Sequence, residues 1–261
     1  MRLDRGFDVI GSVAIIKPKP DDSPGKTRAI AAQIMRENKH IASIFIKSGK
    51  VEGEDRTMKL RWVAGSRKSL TLHRENGFMF YVDVRKVFFS PRMGTERLRV
   101  INQVKPGDRV LDMFCGVGPF AIPIAKKASY VYAIDINKEA IALLKKNIKL
   151  NKITNIDFKQ GDSNKLAGKL GMKFDRIIMN FPSNPTRFLE SAVKAAADRC
   201  VVYYYKFINA SDRTAIKDEN SKIRGIIGKD FTVTGINTFR AGETAPFVNR
   251  MCFQIRLRKN Q

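Results

Sequence analysis

Acidic residues are scarce in this chain of 261 residues: 25 Asp and Glu stand against 49 Lys and Arg, a formal net charge of +24. An excess this large points to a polyanionic partner rather than to a merely solvated surface. No apolar run reaches the length of a membrane-spanning helix, which excludes a helical membrane protein and leaves nucleic acid as the leading polyanion. The opening MRLDRGFDV has no apolar signal segment. Cysteine is also sparse. Cys115, Cys200 and Cys252 lie far apart in apolar sequence and form neither a zinc spacing nor a disulfide framework. They read as buried thiols of a reducing cytoplasm. His40 and His73 stand beside no paired acids, so structural roles are expected of them and no metal site is. There is no internal repeat and no low-complexity tract.

Two styles of sequence follow one another. Up to about residue 88 the chain reads as a small α+β domain of antiparallel type. A strand with a glycine interruption is expected over 7–17 and a Pro-rich loop over 17–25. A helix over 26–38 starts from Ser23 and Pro24, and strands follow over 41–49, 58–65 and 78–84, with a turn at Asn76-Gly77. From 89 to 261 strand and helix alternate. Ser90-Pro91 opens a helix with a capping hydroxyl and a proline at its first position. VLDMF, PFAIPIAKKA, YVYAIDI, KEAIALLKKNIKLN, IDFKQGD and FDRIIMNFP then follow, with a helix near 186–198 and the strand CVVYYYKF. This is a doubly wound, Rossmann-like parallel sheet, closed by two antiparallel edge strands, DFTVTGINTF and RMCFQIRLR. Loops at the carboxyl ends of its parallel strands are expected to build the ligand site.

The loop DMFCGVGPF (112–120) fits a strand, a tight turn and a helix start. Gly116-x-Gly118-x-x-Ala121 satisfies the dinucleotide fingerprint, yet Asp112 argues against a pyrophosphate, because two anions repel at that distance. A cationic ligand without phosphate fits better, and S-adenosyl-L-methionine is such a ligand. Asp135, ending the second strand, suits ribose hydroxyls in either cofactor class. Asp162, ending the third, suits an adenine amino group. Asn180-Phe181-Pro182 ends the fourth. Singly, Asp135 reads equally as a helix cap, Asp162 as a turn residue and Asn180-x-Pro182 as a loop entry; jointly they read as a cofactor site. The Asn-Phe-Pro-Ser segment offers a side-chain amide and a backbone carbonyl to a flipped base, without naming the atom attacked.

The segments 74–100 (RENGFMFYVDVRKVFFSPRMGTERLRV), 112–125, 132–152 and 177–182 resemble the class I tRNA (guanine-37-N1) methyltransferases of archaea and eukaryotes, the Met-10-like family. Weaker similarity covers 7–17 and VEGEDRTMKL. The resemblance implies a class I methyltransferase domain, 89–261, preceded by a small RNA-binding α+β domain, 1–88. Many archaeal members begin with a further small domain, and this chain is expected to start at the second. It departs from the family at Asn180-Phe181-Pro182-Ser183-Asn184, where Asn-Leu-Pro-Lys is usual, and at Cys115, where alanine is common.

The resemblance also implies a reaction: transfer of the methyl group of S-adenosyl-L-methionine to N1 of guanosine 37, beside the anticodon. In this reading Glu96 of SPRMGTERLR is the general base, Arg56 stabilises charge developing on O6, and Asn180 holds the base in a pocket shaped by Pro182. Arg97, Asp112, Gly116, Gly118, Asp135, Ile136, Asp162, Ser163 and Asn180 hold the cofactor. Without the family, Glu96 among Arg92, Arg97 and Arg99 reads as a helix ion pair, Arg56 as a loop salt bridge, and Phe88 and Phe89 as core. A sister family moves the aminocarboxypropyl group in wyosine synthesis, usually with a Gly-Ile-Gly-Tyr-Phe loop; Gly116-Val117-Gly118-Pro119-Phe120 resembles the methyltransferase form. The expected enzyme is cytoplasmic, monomeric and bound to the anticodon stem-loop of tRNA.

Overall fold

The computed structural model describes residues 6–17, 19–52, 57–228 and 230–261. The stretch expected as one strand is a hairpin of β1 (Phe7–Ile10) and β2 (Val13–Ile16). Helix α1 (Pro24–Glu37) starts where the sequence indicates: the Ser23 hydroxyl accepts from the Lys26 N–H, and Pro24 takes the first turn. β3 (Ser43–Glu52) and β4 (Thr57–Gly65) complete a four-stranded sheet in the order β1-β2-β3-β4. This sheet is mixed rather than antiparallel, because β2 pairs parallel with β3. A parallel pair needs a crossover, and α1 supplies it, packing Ala31 and Ile34 over Ala14, Ile16 and Ile44.

β5 (Leu70–Glu75), for which the sequence reading has no counterpart, and β6 (Phe78–Asp83) pair around Asn76-Gly77 as a separate two-stranded ribbon. From the ribbon, Thr71 Oγ1 and His73 Nδ1 accept the N–H groups of Ser12 (2.9 Å) and Gly11 (3.1 Å), tying it to the small sheet. His73 is thus a structural residue; burial lowers its pKa.

Pro91–Met93 forms a short 3-10 turn, and the Ser90 hydroxyl makes no capping bond. Helix α2 (Gly94–Asn102) begins after that turn, later than the Ser-Pro signal suggests. There follow β7 (Arg109–Asp112), α3 (Ala121–Ala125), β8 (Tyr130–Asp135), α4 (Lys138–Leu150), β9 (Ile156–Gln160), α5 (Ser163–Leu166) and β10 (Phe174–Met179). The helix expected near 186–198 is a 3-10 turn, Pro185–Phe188, and a short α6 (Leu189–Ala195), because β11 (Ala196–Asn209) begins at once. An unexpected helix α7 (Ala215–Ile227) precedes β12 (Phe231–Ala245) and β13 (Val248–Lys259).

The large sheet runs β12-β13-β11-β10-β7-β8-β9. Pairs from β11 to β9 are parallel, and β13 is antiparallel to both β11 and β12. Strand order reverses between β7 and β10, so a crevice opens at their carboxyl ends. Tyr203, Tyr204 and Tyr205 of β11 are fully buried. Each hydroxyl finds a partner there, as buried phenols require: Tyr203 with Arg176 (2.8 Å), Tyr204 with Glu219, and Tyr205 with Glu96 (2.7 Å). Among the described residues no helix is long and apolar enough to cross a membrane.

Candidate active site

An open cleft lies at the reversal point, at the carboxyl ends of the parallel strands where α/β proteins bind their ligands. Its walls come from the ends of β7, β8, β9 and β10 and from the segment leading into α2. Gly116, Asp135, Ile136, Asp162, Ser163, Asn180 and Arg97 all line it.

The loop after β7 is held in shape by the next strand. Gly116, with φ +54°, points its N–H to Asp135 Oδ2 at 2.7 Å, and Asn137 N–H donates to Asp135 Oδ1 at 2.9 Å. Asn137 then caps α4 by accepting from Glu139 N–H and reaches back to the Lys86 carbonyl. Asp135 therefore braces the turn while still facing the cleft. Asp162 caps α5 through the Asn164 N–H (2.9 Å), and Ser163 donates its hydroxyl to the Met113 carbonyl. Gln160 donates to the Ile136 carbonyl at 3.1 Å, fixing that segment.

Four of the expected residues lie off the wall or behind it. Gly118 turns away from the cleft: a Cβ there would stand 2.6 Å from Leu144 Cδ1, so this glycine permits the loop to pack on α4. Asp112 is 1% exposed, with one oxygen accepting weakly from Phe114 N–H (3.3 Å) and the other without a hydrogen-bond partner. Burial, with the neighbouring Asp135 charge adding to it, pushes its carboxyl up to about 7. Pro182 is buried, and its carbonyl accepts from Phe207 N–H at 3.2 Å.

Glu96 is the fourth. It is 6% exposed and sits between α2 and the carboxyl-terminal strands. Arg99 donates to it through Nε and Nη2, both at 2.7 Å, and the Tyr205 hydroxyl donates at 2.7 Å. Desolvation works against the Arg99 charge, but its bonds to Glu96 dominate and raise its pKa. The helix ion pair is therefore present, and it is buried rather than superficial. Arg97 turns the other way: its Nε donates to Glu75 Oε1 at 2.6 Å and its Nη2 to the Ser90 carbonyl at 2.9 Å, beneath the Phe89 ring. The ribbon strand β5 thus orients a guanidinium of the cleft. Arg56 lies outside the described residues.

Sequence reasoning misses the aromatic side of the cleft. Phe114 stacks on Phe181 at 5.0 Å and meets Phe188 edge-on at 4.8 Å, with Arg187 over the Phe188 ring. These residues come from three separate segments, so no local pattern announces them. Phe89, expected as core, is 4% exposed and belongs to the core, and with Phe88 it also borders this cleft and a second one beside it.

A doubly wound sheet with a glycine turn and acids at successive strand ends has the architecture of α/β proteins that bind a nucleoside cofactor at the switch point. Residues 71–233 match the TRM5/TYW2 methyltransferase domain, and residues 1–68 match the TYW2 N-terminal domain. The chain belongs to the TRM5/TYW2 methyltransferase family. It is 45% identical over 205 residues to the tRNA (guanine(37)-N(1))-methyltransferase Trm5b of Pyrococcus abyssi, a match covering 78% of this chain and 61% of that protein. The crystal structure of the Pyrococcus abyssi Trm5b superposes with a TM-score of 0.86 at 38% identity, over 97% of this chain and 75% of that one. A complex of aTrm5 with tRNALeu superposes with a TM-score of 0.83 at 33% identity, over 96% of this chain and 71% of that one. The chain spans about 60% of the length of the curated relatives it matches first.

Proposed function

We propose that this chain transfers the methyl group of S-adenosyl-L-methionine to N1 of guanosine 37 in tRNA. The observation that carries the reading is the pairing of two adjoining clefts: the strand-end cleft shares Phe88, Phe89, Ser90 and Met93 with a second, larger one. One suits the cofactor and the other the base it modifies. The names of the Trm5 relatives and the tRNA complex among the neighbours support the choice of substrate, as does the net charge of +24.

The donor set fits this cofactor. Asp135 and Asp162 suit a ribose diol and an adenine amine, Arg97, held by Glu75, borders the same cleft, and the buried Asp112 oxygen behind the turn favours a cation nearby. When bound, the cofactor supplies an electrophilic methyl group on a sulfonium. Ile136, Ser163, Gly116 and Asn180 complete its walls, with Gly118 setting the loop.

On the substrate side, Asn180 holds the guanine and the Pro182 turn shapes its approach. Glu96 takes the N1 proton once Arg99 has released the carboxylate, and Arg56 stabilises the charge developing on O6. The small domain, 1–88, grips the anticodon stem-loop; the enzyme works as a cytoplasmic monomer, with the methyltransferase domain at 89–261.

A second reading, aminocarboxypropyl transfer on the same nucleotide, is favoured by the match of residues 1–68 to the TYW2 N-terminal domain. Adenosylmethionine labelled separately on methyl and on carboxyl separates the two. Methyl label in 1-methylguanosine, found by nucleoside mass spectrometry only with transcripts that carry guanosine 37, supports the first. Carboxyl label alone in the tRNA refutes it.

A further inference from the structure

The second cleft, a cavity of about 510 Å³, lies between the small sheet and the carboxyl-terminal strands. Ile10, Ile15 and Met58 floor it from the small sheet, and Phe207 of β11 and Arg250 of β13 face them. Arg250 is 6% exposed, and its Nε is buried with no hydrogen-bond partner. Its guanidinium lies over Phe207, its cross-strand neighbour, 5.5 Å from the ring centroid, and among the described residues it makes no salt bridge. The acids on this wall are already engaged: Asp8 with Arg92 at 2.5 Å, and Glu243 with Arg240 at 3.1 Å. Burial, with the charge of Arg97 adding to it, lowers the Arg250 pKa to about 10, against a raising influence from Tyr205.

A guanidinium kept inside a fold without a carboxylate is unfavourable on its own. Its planar fork is geometrically suited to two acceptors lying side by side. We propose that Arg250 reads the target base, donating its fork to O6 and N7 of the flipped guanine while Phe207 and Phe89 flank the cleft. Those two acceptors lie on the edge next to N1, so a base held this way leaves N1 directed toward the cofactor cleft. Phosphates are served by other residues: Lys17, Lys47 and Arg92 line the same cleft nearer the small sheet. The inference rests on the guanine-37 reading for the identity of the base.

The test uses the full chain and fluorescent anticodon stem-loop RNAs carrying guanosine, 7-deazaguanosine or an abasic site at position 37. The native protein is expected to bind guanosine RNA about 10- to 100-fold more tightly than the other two. Arg250→Lys keeps the charge but not the fork, and is expected to bind the guanosine and 7-deazaguanosine RNAs alike with an unchanged melting temperature, while Asn180 and the flanking rings still set both apart from the abasic RNA. Arg250→Gln serves as the second variant should the lysine distort the strand. Two results overturn the inference: a native protein that does not discriminate guanosine from 7-deazaguanosine, or Arg250 variants that keep that preference. A uniform loss across all three RNAs assigns Arg250 to phosphate and likewise overturns it. Methyl transfer is measured in parallel; its absence in the native protein refutes the proposed reaction, while the binding comparison stands by itself.

Discussion

Arg99 Nε and Nη2 each donate to a different oxygen of Glu96, both at 2.7 Å. With Tyr205 as third donor, the carboxylate is stored inside the fold, away from the cleft wall. A base in that position has to exchange Arg99 for substrate before it can accept a proton. Glu96→Gln is therefore expected to slow single-turnover methyl transfer about 100-fold or more. Adenosylmethionine affinity should stay within about twofold, and high pH should partly restore the rate by deprotonating guanine directly. Calorimetry that instead shows a matching loss of cofactor affinity marks Glu96 as purely structural. Arg99→Leu leaves a buried carboxylate unpaired, and urea denaturation is expected to show about 3 kcal/mol less stability.

Asn147 of α4, 0% exposed, latches three pieces together. Its Oδ1 accepts from Tyr81 N–H at 2.7 Å, and its Nδ2 donates to the carbonyls of Tyr81 (3.2 Å) and Val117 (3.0 Å). One turn later Asn151 repeats the clasp on both backbone groups of Met79. The β5–β6 ribbon is thereby fixed on the same helix that supports the glycine turn, and Glu75 of that ribbon aims Arg97. Asn147→Leu conserves volume but strands buried backbone groups, at about 1–3 kcal/mol for each. A drop in melting temperature together with weaker adenosylmethionine binding is expected; a drop in stability alone would uncouple the ribbon from the cofactor cleft.

What the sequence made legible was local or periodic. Strand–helix alternation gave the parallel sheet, and Asp135, Asp162 and Asn180 fall at strand ends lining one cleft, as their spacing indicates. What it concealed was made by distant contacts. Tyr205 meets Glu96 across 109 positions. The Phe114–Phe181–Phe188 group draws on three loops, and the parallel pairing of β2 with β3 depends on a crossover that periodicity cannot orient. In strand β5 the apolar Leu70 and Leu72 are exposed while Thr71 is buried, the reverse of the apolar-in alternation that marks a strand. Asp112 was legible as an acid of the loop but not as one enclosed behind it.

Gly118 tests the distinction between a ligand-facing glycine and a packing one. At φ +92°, an added Cβ stands 2.6 Å from Leu144 Cδ1 and 2.9 Å from Ile122 Cδ1, both fully buried side chains. Gly118→Ala is expected to lower stability by about 2–3 kcal/mol through overpacking and backbone strain together. Gly77, at φ +83° with nothing within 4 Å of such a Cβ, separates the two terms. Gly77→Ala carries strain alone and is expected to lose about 1 kcal/mol. Equal losses in thermal melts of the two variants would show that the contact with α4 is unimportant.

Asp112 makes stability depend on pH in a stated direction. Burial raises its carboxyl from 3.8 to about 7 in the folded chain. Between those values the native state keeps a proton that the unfolded chain has released, so the group's contribution is most favourable at low pH and is lost as pH rises through the folded value. Asp112→Asn removes this dependence. The variant is expected to be more stable than the parent at pH 8, by about 2–4 kcal/mol on the scale of 1.36 kcal/mol per unit, and its stability should vary less between pH 4 and 7. A cationic cofactor beside the turn favours the ionised form, so adenosylmethionine binding near pH 6 is expected to release protons. Calorimetry in buffers of differing ionisation enthalpy reads that release directly. It should vanish in Asp112→Asn, and a release that persists undiminished assigns the proton to another group.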